Sequence, residues 1–285
     1  MKSLNFKSHL LITGFAGFLA VSCTSAYKTV DKGASKKIFN IKYGNHKRHV
    51  MDVFLPERAS DKPLVMIVHG GAWMYGRKEH MWNVRNYLYR NHVPTVSINY
   101  RLVKKGVTYR EQLEDIGKAV QFAKTHSSEW KVNANQLILL GESAGGHLVL
   151  LYGYTHPEEI YKIVSLSGPT DFYSEDYLKN RYYRRSHGTF QKVVGAKYGE
   201  KDVEEKFRAA SPLANVADVP TLMFQGNKDF LVNQSQGKSL DSVLTSKGYR
   251  HEFVYMNGAG HVPRIFKPKM RDSLVFPKIL EFVKD

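Results

Sequence analysis

The sequence of 285 residues predicts an α/β fold with one mostly parallel central sheet flanked by helices. Short apolar runs, typical of strands buried on both faces, alternate along the chain with segments of helical periodicity. Strands and helices that alternate in this way form right-handed crossovers, and the strands then lie parallel. The hydrophobic content of 42% suffices for one large core, so we expect a single domain over residues 27–285.

Seven apolar runs are predicted to be the strands of this sheet. They are HVMDVFL from His49, LVMIVHG from Leu64, TVSINY from Thr95, LILLGE from Leu137, YKIVSLSG from Tyr161, TLMFQG from Thr221 and HEFVYM from His251. Residues 110–126 carry apolar side chains at helical spacing, and residues 234–248 end in a glycine suited to a helix C-terminus. In the tail from residue 270 onwards, Pro277 must kink a helix or start it late. Functional groups in such sheets collect at the carboxyl ends of the strands.

Residues 1–26 predict an export signal. Two lysines precede an apolar run from Leu10 to Val21, and this run is too short to span a bilayer comfortably. The single cysteine, Cys23, follows directly and excludes an intramolecular disulfide. The segment resembles a bacterial lipoprotein box, with Ala20 where leucine is usual, and Ala26 ends an alternative cleavage site. We therefore expect an exported protein, either anchored in a membrane through lipidated Cys23 or released after simple cleavage; an incidental cysteine is the third alternative.

A serine flanked by glycines forms the first chemical motif. In LILLGESAGGHL, Ser143 lies where a predicted strand ends and a helix begins. Gly141 and Gly145 allow the strand and the helix to approach closely, while a strained turn presents the serine hydroxyl outward. The same turn directs the backbone N–H of Ala144 towards any oxygen that becomes negative beside the serine. The motif indicates a nucleophilic serine; a glycine-rich helix start is the alternative.

The sequence HGGAW follows the second predicted strand and supplies a candidate oxyanion hole. Adjacent glycines at a strand end can turn backbone N–H groups towards a ligand, so Gly70 and Gly71 are expected to act together with Ala144. His69 is expected to fix this loop through hydrogen bonds. The side chains expected to line the wall of the substrate pocket are those of Trp73, Met74 and Tyr75.

A serine hydroxyl becomes nucleophilic when a histidine takes its proton and a carboxylate orients that histidine. His261, in MNGAGHVP, follows the last predicted strand and is the candidate base. Asp229, in QGNKDFLV, follows the strand TLMFQG and is the candidate acid, with Asp171 in SGPTDF as its competitor. Glu142 adjoins Ser143 but should point to the opposite side of its strand.

Together the motifs resemble those of α/β-hydrolase esterases in kind and in order: HGGAW, NYRL, GESAGGHL, GNKDFLV and GAGH. The similarity runs from about Met51 to His261. It is greatest to the hormone-sensitive-lipase-like carboxylesterases and to the bacterial feruloyl and acetyl xylan esterases. The residues to which the resemblance assigns roles are Ser143 as nucleophile, Asp229 as acid, His261 as base, and Gly70, Gly71 and Ala144 as oxyanion donors. It implies hydrolysis of small or carbohydrate-linked esters through an acyl-enzyme, without a metal or organic cofactor.

Residues 172–211 match no pattern of that family and predict a lid-like insertion over the active edge of the sheet. Within it, KNRYYRR at residues 179–185 is either a solvated lid helix or a surface that stacks on sugars or bases. The net charge of +16 favours anionic surroundings, but charge spread along an exported chain argues against a nucleic-acid partner. Two alternatives to ester hydrolysis stay open: an amide hydrolase (formamidase or exopeptidase) using the same triad, and a non-catalytic surface protein that binds an anionic polymer.

Overall fold

The computed structural model describes residues 28–33 and 35–285. The predicted export signal and Cys23 lie outside the described residues, so export and lipidation stay predictions. None of the helices in the described part of the chain is long and apolar enough to cross a bilayer.

Within the described residues, nine strands form one sheet in the order β1-β2-β3-β5-β4-β6-β7-β8-β9. The strands are β1 Lys28–Asp31, β2 Lys36–Lys42, β3 Val50–Leu55, β4 Pro63–Val68, β5 Thr95–Ile98, β6 Asn133–Glu142, β7 Lys162–Leu166, β8 Thr221–Gly226 and β9 His251–Met256. The pairs β1·β2, β2·β3 and β3·β5 are antiparallel, and all other pairs are parallel. This arrangement confirms the predicted mostly parallel sheet.

The seven predicted strands correspond to β3 through β9, whereas β1 and β2 are additional. Both additional strands lie at the antiparallel edge of the sheet. Only Ile38 is fully buried in β2, and β1 contains no fully buried residue. Such half-exposed, lysine-rich strands lack the continuous apolar run that marks the inner strands, which is why the sequence did not reveal them.

Helices cover both faces of the sheet. They are α1 Trp82–Arg90, α2 Tyr109–Thr125, α3 Ser127–Trp130, α4 Ala144–Thr155, α5 Glu175–Lys179, α6 His187–Val194, α7 Val203–Ala209, α8 Gln234–Ser246, α9 Pro263–Phe266, α10 Pro268–Met270 and α11 Phe276–Lys284. Pro277 lies in the first turn of α11 after a π-helical turn at Arg271–Val275. The closing helix therefore starts late, as the proline required.

Two hydrophobic clusters bury the two faces of the sheet, and β4 contributes to both. Leu64 and Met66 pack in the cluster with α2 and α4, while Val65 and Ile67 pack in the cluster with α1 and α11. Successive side chains of β4 therefore pack into hydrophobic clusters on opposite faces. This explains why β4 is a continuous apolar run rather than an alternating one.

The insertion at residues 172–211 is helical and belongs to the core. It consists of α5, a 3₁₀ turn at Tyr183–Ser186, α6 and α7. Phe172, Tyr177 and Phe207 are fully buried in the larger cluster. In the basic segment, Tyr182 is exposed while Tyr183 packs against that cluster. The insertion is thus anchored to the domain by apolar packing over most of its length.

His147 of α4 connects the insertion with the loop after β4. Its Nδ1 accepts a hydrogen bond from Trp73 Nε1 at 3.1 Å, and its Nε2 donates to the carbonyl of Ala210 at 2.7 Å. Indole N–H is only a donor, so the imidazole here must be neutral. Burial lowers the pKa of His147 to about 4, which keeps this neutral form at pH 7.

We predict that His147 makes the protein less stable as the pH falls from about 6.5 towards 4. The unfolded chain protonates this histidine with an ordinary pKa of about 6.5, whereas the folded protein resists protonation until about pH 4. The unfolded state therefore binds more protons in this window, and acid favours it. Between pH 7 and pH 5 this linkage lowers the free energy of unfolding by about 2 kcal/mol.

Urea denaturation of the wild type and of His147→Gln at the two pH values measures this effect. The amide of glutamine can still accept and donate a hydrogen bond, so the variant should fold. Between pH 7 and pH 5 its free energy of unfolding should fall by about 2 kcal/mol less than that of the wild type. The half-exposed His156→Gln serves as control and should follow the wild type. If acid lowered the free energy of unfolding equally in His147→Gln and in the wild type, His147 would not be the source of this pH dependence.

Candidate active site

Ser143 lies in a sharp turn between β6 and α4. Its backbone is in the left-handed region, with φ 55° and ψ −121°, a strained conformation for a residue with a side chain. The turn requires its glycines: a Cβ on Gly141 would lie 2.2 Å from the carbonyl oxygen of Gly145, and one on Gly145 would lie 2.3 Å from that of Val68. This close approach of strand and helix leaves the hydroxyl of Ser143 facing outward.

His261 connects Ser143 with Asp229. Its Nε2 lies 2.8 Å from Ser143 Oγ, and its Nδ1 lies 2.7 Å from Asp229 Oδ2. The carboxylate accepts a hydrogen bond from Nδ1–H, and this tautomer leaves Nε2 unprotonated and able to accept the hydroxyl proton of the serine. His261 and Asp229 are 6% and 7% exposed, so little water competes for these two hydrogen bonds.

Asp229 is held by its own loop. Its Oδ1 accepts the backbone N–H groups of Leu231 and Val232, both at 2.9 Å, and its Oδ2 accepts Gln225 Nε2 at 3.0 Å. These donors stabilise a buried carboxylate and fix the direction in which it faces His261.

Asp171, the competing acid, has a different role. Its Oδ1 accepts the backbone N–H of Tyr173 at 2.8 Å and the hydroxyl of Ser211 at 3.4 Å. It therefore braces the start of the insertion, and the structure brings Asp229 rather than Asp171 to His261.

The loop after β4 lies directly against Ser143. A Cβ on Gly70 would come within 3.2 Å of Ser143 Cβ. In the described part of the chain, no carbonyl or side chain accepts the N–H groups of Gly70, Gly71, Ala72 or Ala144. Gly70, Gly71 and Ala72 line the same cavity as Ser143, and Ala72 is the one of the four that sequence reasoning did not single out.

His69 stabilises this loop through a hydrogen bond and aromatic stacking. Its Nδ1 donates to the carbonyl of Gly70 at 2.7 Å, and its Nε2 faces Arg48 Nη2 at 3.3 Å. Its ring stacks on Tyr100 at a centroid separation of 4.4 Å. Burial lowers the pKa of His69 to about 3, so a neutral imidazole accepts the hydrogen bond of Arg48.

A cavity of about 820 Å³ opens beside Ser143 and His261. Besides Ser143, His261 and the loop at residues 70–72, its lining includes Tyr75, Trp82 and Ile265. No residue of the insertion at 172–211 lines it, so the expected lid does not form a wall of this cavity. Within the described residues, no group of three His, Cys, Asp or Glu side chains could hold a metal ion.

Of the three side chains expected in the pocket wall, only Tyr75 lines the cavity; the prediction is wrong for Trp73 and Met74. Trp73 is 4% exposed and packs edge-to-face against Phe172, and Met74 packs against the same core cluster. The reason lies in the backbone, because Trp73 has a φ of 61°. This turn directs the indole into the core, where His147 accepts its N–H.

A buried ion pair links the two loops that carry Ser143 and His261, and sequence reasoning did not identify it. Arg264 Nη2 donates to Glu142 Oε1 at 2.7 Å, and Nη1 donates to Asn83 Oδ1 of α1 at 3.0 Å. Glu142 immediately precedes Ser143, and Arg264 lies three residues after His261. The only sequence signal was the expected orientation of Glu142 away from the serine.

We predict that Arg264→Met lowers the free energy of unfolding by about 3–5 kcal/mol, because it leaves the carboxylate of Glu142 buried without a partner. Lys179→Met is the matched control. It removes an ion pair with Glu175 whose two side chains are 74% and 81% exposed, and it should leave the free energy of unfolding nearly unchanged, because water screens such a pair. Chemical denaturation of both variants measures the difference; similar small losses would show that the Arg264 pair does not hold the site together.

Comparison with known proteins gives a family, relatives and structural neighbours. The BD-FAE family model matches residues 51–244. The isoprenylcysteine alpha-carbonyl methylesterase ICME of Arabidopsis thaliana is 24% identical over 250 residues, which cover 81% of this chain and 58% of that protein. The chain thus spans little more than half the length of the first curated relatives that it matches.

Two solved structures share the fold. A truncated carbohydrate esterase from gut microbiota superposes with a TM-score of 0.73 at 18% identity, covering 90% of this chain and all of the other. An inhibited esterase B from Lactobacillus rhamnosis superposes with a TM-score of 0.72 at 17% identity, and the match covers 88% of this chain and 87% of the other. These similarities confirm the resemblance to α/β-hydrolase esterases that the motifs indicated. Because the family model also matches most of the chain, the protein belongs to the BD-FAE family and has the α/β-hydrolase fold.

Proposed function

We propose that this protein is a serine carboxylic ester hydrolase. The observation that carries the proposal is the continuous chain of hydrogen bonds from Ser143 through His261 to Asp229, with distances of 2.8 and 2.7 Å. The chain ends at a cavity of about 820 Å³, which is within the range of ordinary ligand sites. Membership of the BD-FAE family and the esterase relatives support the same chemistry.

Acylation begins when His261 Nε2 takes the hydroxyl proton of Ser143 and Oγ attacks the ester carbonyl carbon. The tetrahedral intermediate carries a negative oxygen, and the cation formed on His261 is stabilised by Asp229. As the intermediate collapses, the C–O bond to the alcohol breaks and His261 returns the proton to the leaving alkoxide. The alcohol departs, and Ser143 is left as an acyl ester.

Deacylation repeats these steps with water. His261 takes a proton from a water molecule while the water oxygen attacks the acyl carbon, and a second tetrahedral intermediate forms. When it collapses, Ser143 Oγ leaves and regains its proton from His261, so the carboxylic acid is released and the enzyme is restored.

The oxyanion of both intermediates is proposed to bind the backbone N–H groups around Ser143. Gly70, Gly71 and Ala144 are the donors that the motifs assign, and Ala72 is added by its position in the cavity wall. Preorganised donors of this kind need no rearrangement during the reaction, which is why they lower the barrier strongly.

Small or carbohydrate-linked esters are the proposed substrates. The cavity is open and larger than a short acyl group requires, and one structural neighbour is described as a carbohydrate esterase. Tyr75 lines the cavity and is 69% exposed, so its ring is available to a sugar or another flat group. Amide hydrolysis by the same triad is the second candidate, because both reactions share the acyl-enzyme.

We predict that Ser143→Ala lowers the rate of hydrolysis of p-nitrophenyl acetate, butyrate and octanoate by on the order of 10⁴-fold or more, because the nucleophile is lost. Initial rates of the variant and the wild type measure this, and the chain-length profile gives the size of the acyl site. Ser246→Ala, an exposed serine on α8, is the matched control and should retain the wild-type rate.

Equal activity in Ser143→Ala and wild type would show that Ser143 is not the nucleophile. A wild type that is inert towards all three esters but cleaves p-nitroacetanilide would favour the amide hydrolase. Inertness towards both classes would favour the non-catalytic binding role.

A further inference from the structure

Exposed apolar side chains gather around the mouth of the active-site cavity. The described part of the chain has eight large hydrophobic side chains that are exposed. Six of them, here called the apolar rim, lie in or next to the cavity lining: Tyr75, Trp82, Phe230, Leu231, Ile265 and Phe266. Their exposed fractions run from 50% for Ile265 to 76% for Phe266. Isolated apolar side chains on a surface are ordinary, but a contiguous group marks an interaction site.

The rim is contributed by three separate segments that the fold brings to one edge of the sheet. Tyr75 and Trp82 precede or begin α1, Phe230 and Leu231 follow β8, and Ile265 and Phe266 end α9. The second segment also contains Asp229, and the third lies directly after His261. The hydrogen bonds of Asp229 and His261 therefore also position the second and third segments of the rim.

Cationic side chains border the rim. Arg77 lines the cavity, Lys228 precedes Asp229, and Lys267 and Lys269 follow Phe266; all four are exposed. Glu79, an acid at the mouth, contacts Lys78 Nζ at 2.5 Å, and Lys78 also pairs with the buried Asp52 at 3.0 Å, so these three groups together leave one negative charge against the four cations. The border thus carries a net positive charge, in keeping with the charge of +16 of the whole chain.

We propose that the apolar rim and its cationic border dock on an anionic lipid surface and present the cavity to an ester held at that surface. Tryptophan and tyrosine favour the headgroup level of a bilayer, and phenylalanine, leucine and isoleucine favour the boundary with the acyl chains. Lysine and arginine next to them attract anionic headgroups. The docking step is independent of catalysis; only the position of the ester rests on the proposed function.

A second copy of the chain fits the rim less well than a lipid surface does. A two-fold dimer through this surface would place the same patch on both sides and bring Arg77 and the three lysines close to their own copies. Like charges oppose such a contact. An anionic surface instead satisfies the apolar and the cationic groups together.

Trp82 provides a local readout of docking. It is 55% exposed, whereas Trp73 and Trp130 are 4% and 3% exposed. A change in tryptophan emission on addition of vesicles therefore reports the surroundings of Trp82 and not those of the N-terminal segment. The experiment uses the full chain and vesicles of phosphatidylcholine with or without phosphatidylglycerol.

We expect the emission to shift to shorter wavelength with phosphatidylglycerol vesicles, and the shift to shrink at high salt. In a titration with vesicles, the double variant Phe266→Ser, Lys267→Ser should need a lipid concentration tenfold or more higher than the wild type for half of the maximal shift. Tyr182→Ser is the matched control, since Tyr182 is exposed but lies in the insertion, away from the cavity; it should behave like the wild type.

Ser143→Ala should dock like the wild type, which separates the failure of docking from the failure of the proposed reaction. The absence of a shift with either vesicle would overturn the proposal, as would a shift that the double variant leaves unchanged. A shift that appears without lipid and follows dimer formation in sedimentation would overturn it in favour of a second copy.

Discussion

The geometry of the site depends on the contact between β6 and α4 at Ser143. A Cβ on Gly141 would collide with the backbone of Gly145 in α4, and a Cβ on Gly145 would collide with the backbone at the end of β4, so both positions admit only a hydrogen atom. Ser143 is held in a left-handed conformation at the carboxyl end of the sheet, and neighbouring strands deliver their loops to the same edge. The loops after β4, β8 and β9 therefore meet around one hydroxyl group, although their residues are far apart in the sequence.

Around this contact, a single carboxylate, that of Asp229, is hydrogen-bonded to His261. Asp229 is held by two backbone N–H groups and an amide. The carboxylate of Glu142, next to Ser143 in the chain, is paired with Arg264. Burial keeps His69 and His147 neutral at physiological pH, since it lowers the pKa of each to about 3 and about 4. Charge changes on the proposed pathway are thus confined to Ser143, His261 and the oxyanion.

Much of this arrangement follows from local sequence patterns. Strands β3 to β9 each contain an apolar segment that predicts them, and Ser143, Asp229 and His261 each follow the end of one, so their meeting at one edge follows from parallel topology. Other features of the site depend on contacts between residues far apart in the sequence, and local sequence patterns do not predict such contacts. Trp73 faces the core because of its own positive φ and because His147 accepts its N–H. The partner of Glu142 lies 122 residues away, and the packing of the insertion depends on side chains of α4.

The most direct test of the account is covalent labelling with the organophosphate diethyl p-nitrophenyl phosphate, followed by mass spectrometry of peptides. An activated serine displaces p-nitrophenolate and keeps the diethyl phosphoryl group, because the tetrahedral adduct occupies the oxyanion site. We expect one equivalent of p-nitrophenol per chain and a single adduct on Ser143, formed more slowly when Asp229 or His261 is replaced. An adduct on another serine, or none under conditions that label a control esterase, would contradict the central role of Ser143.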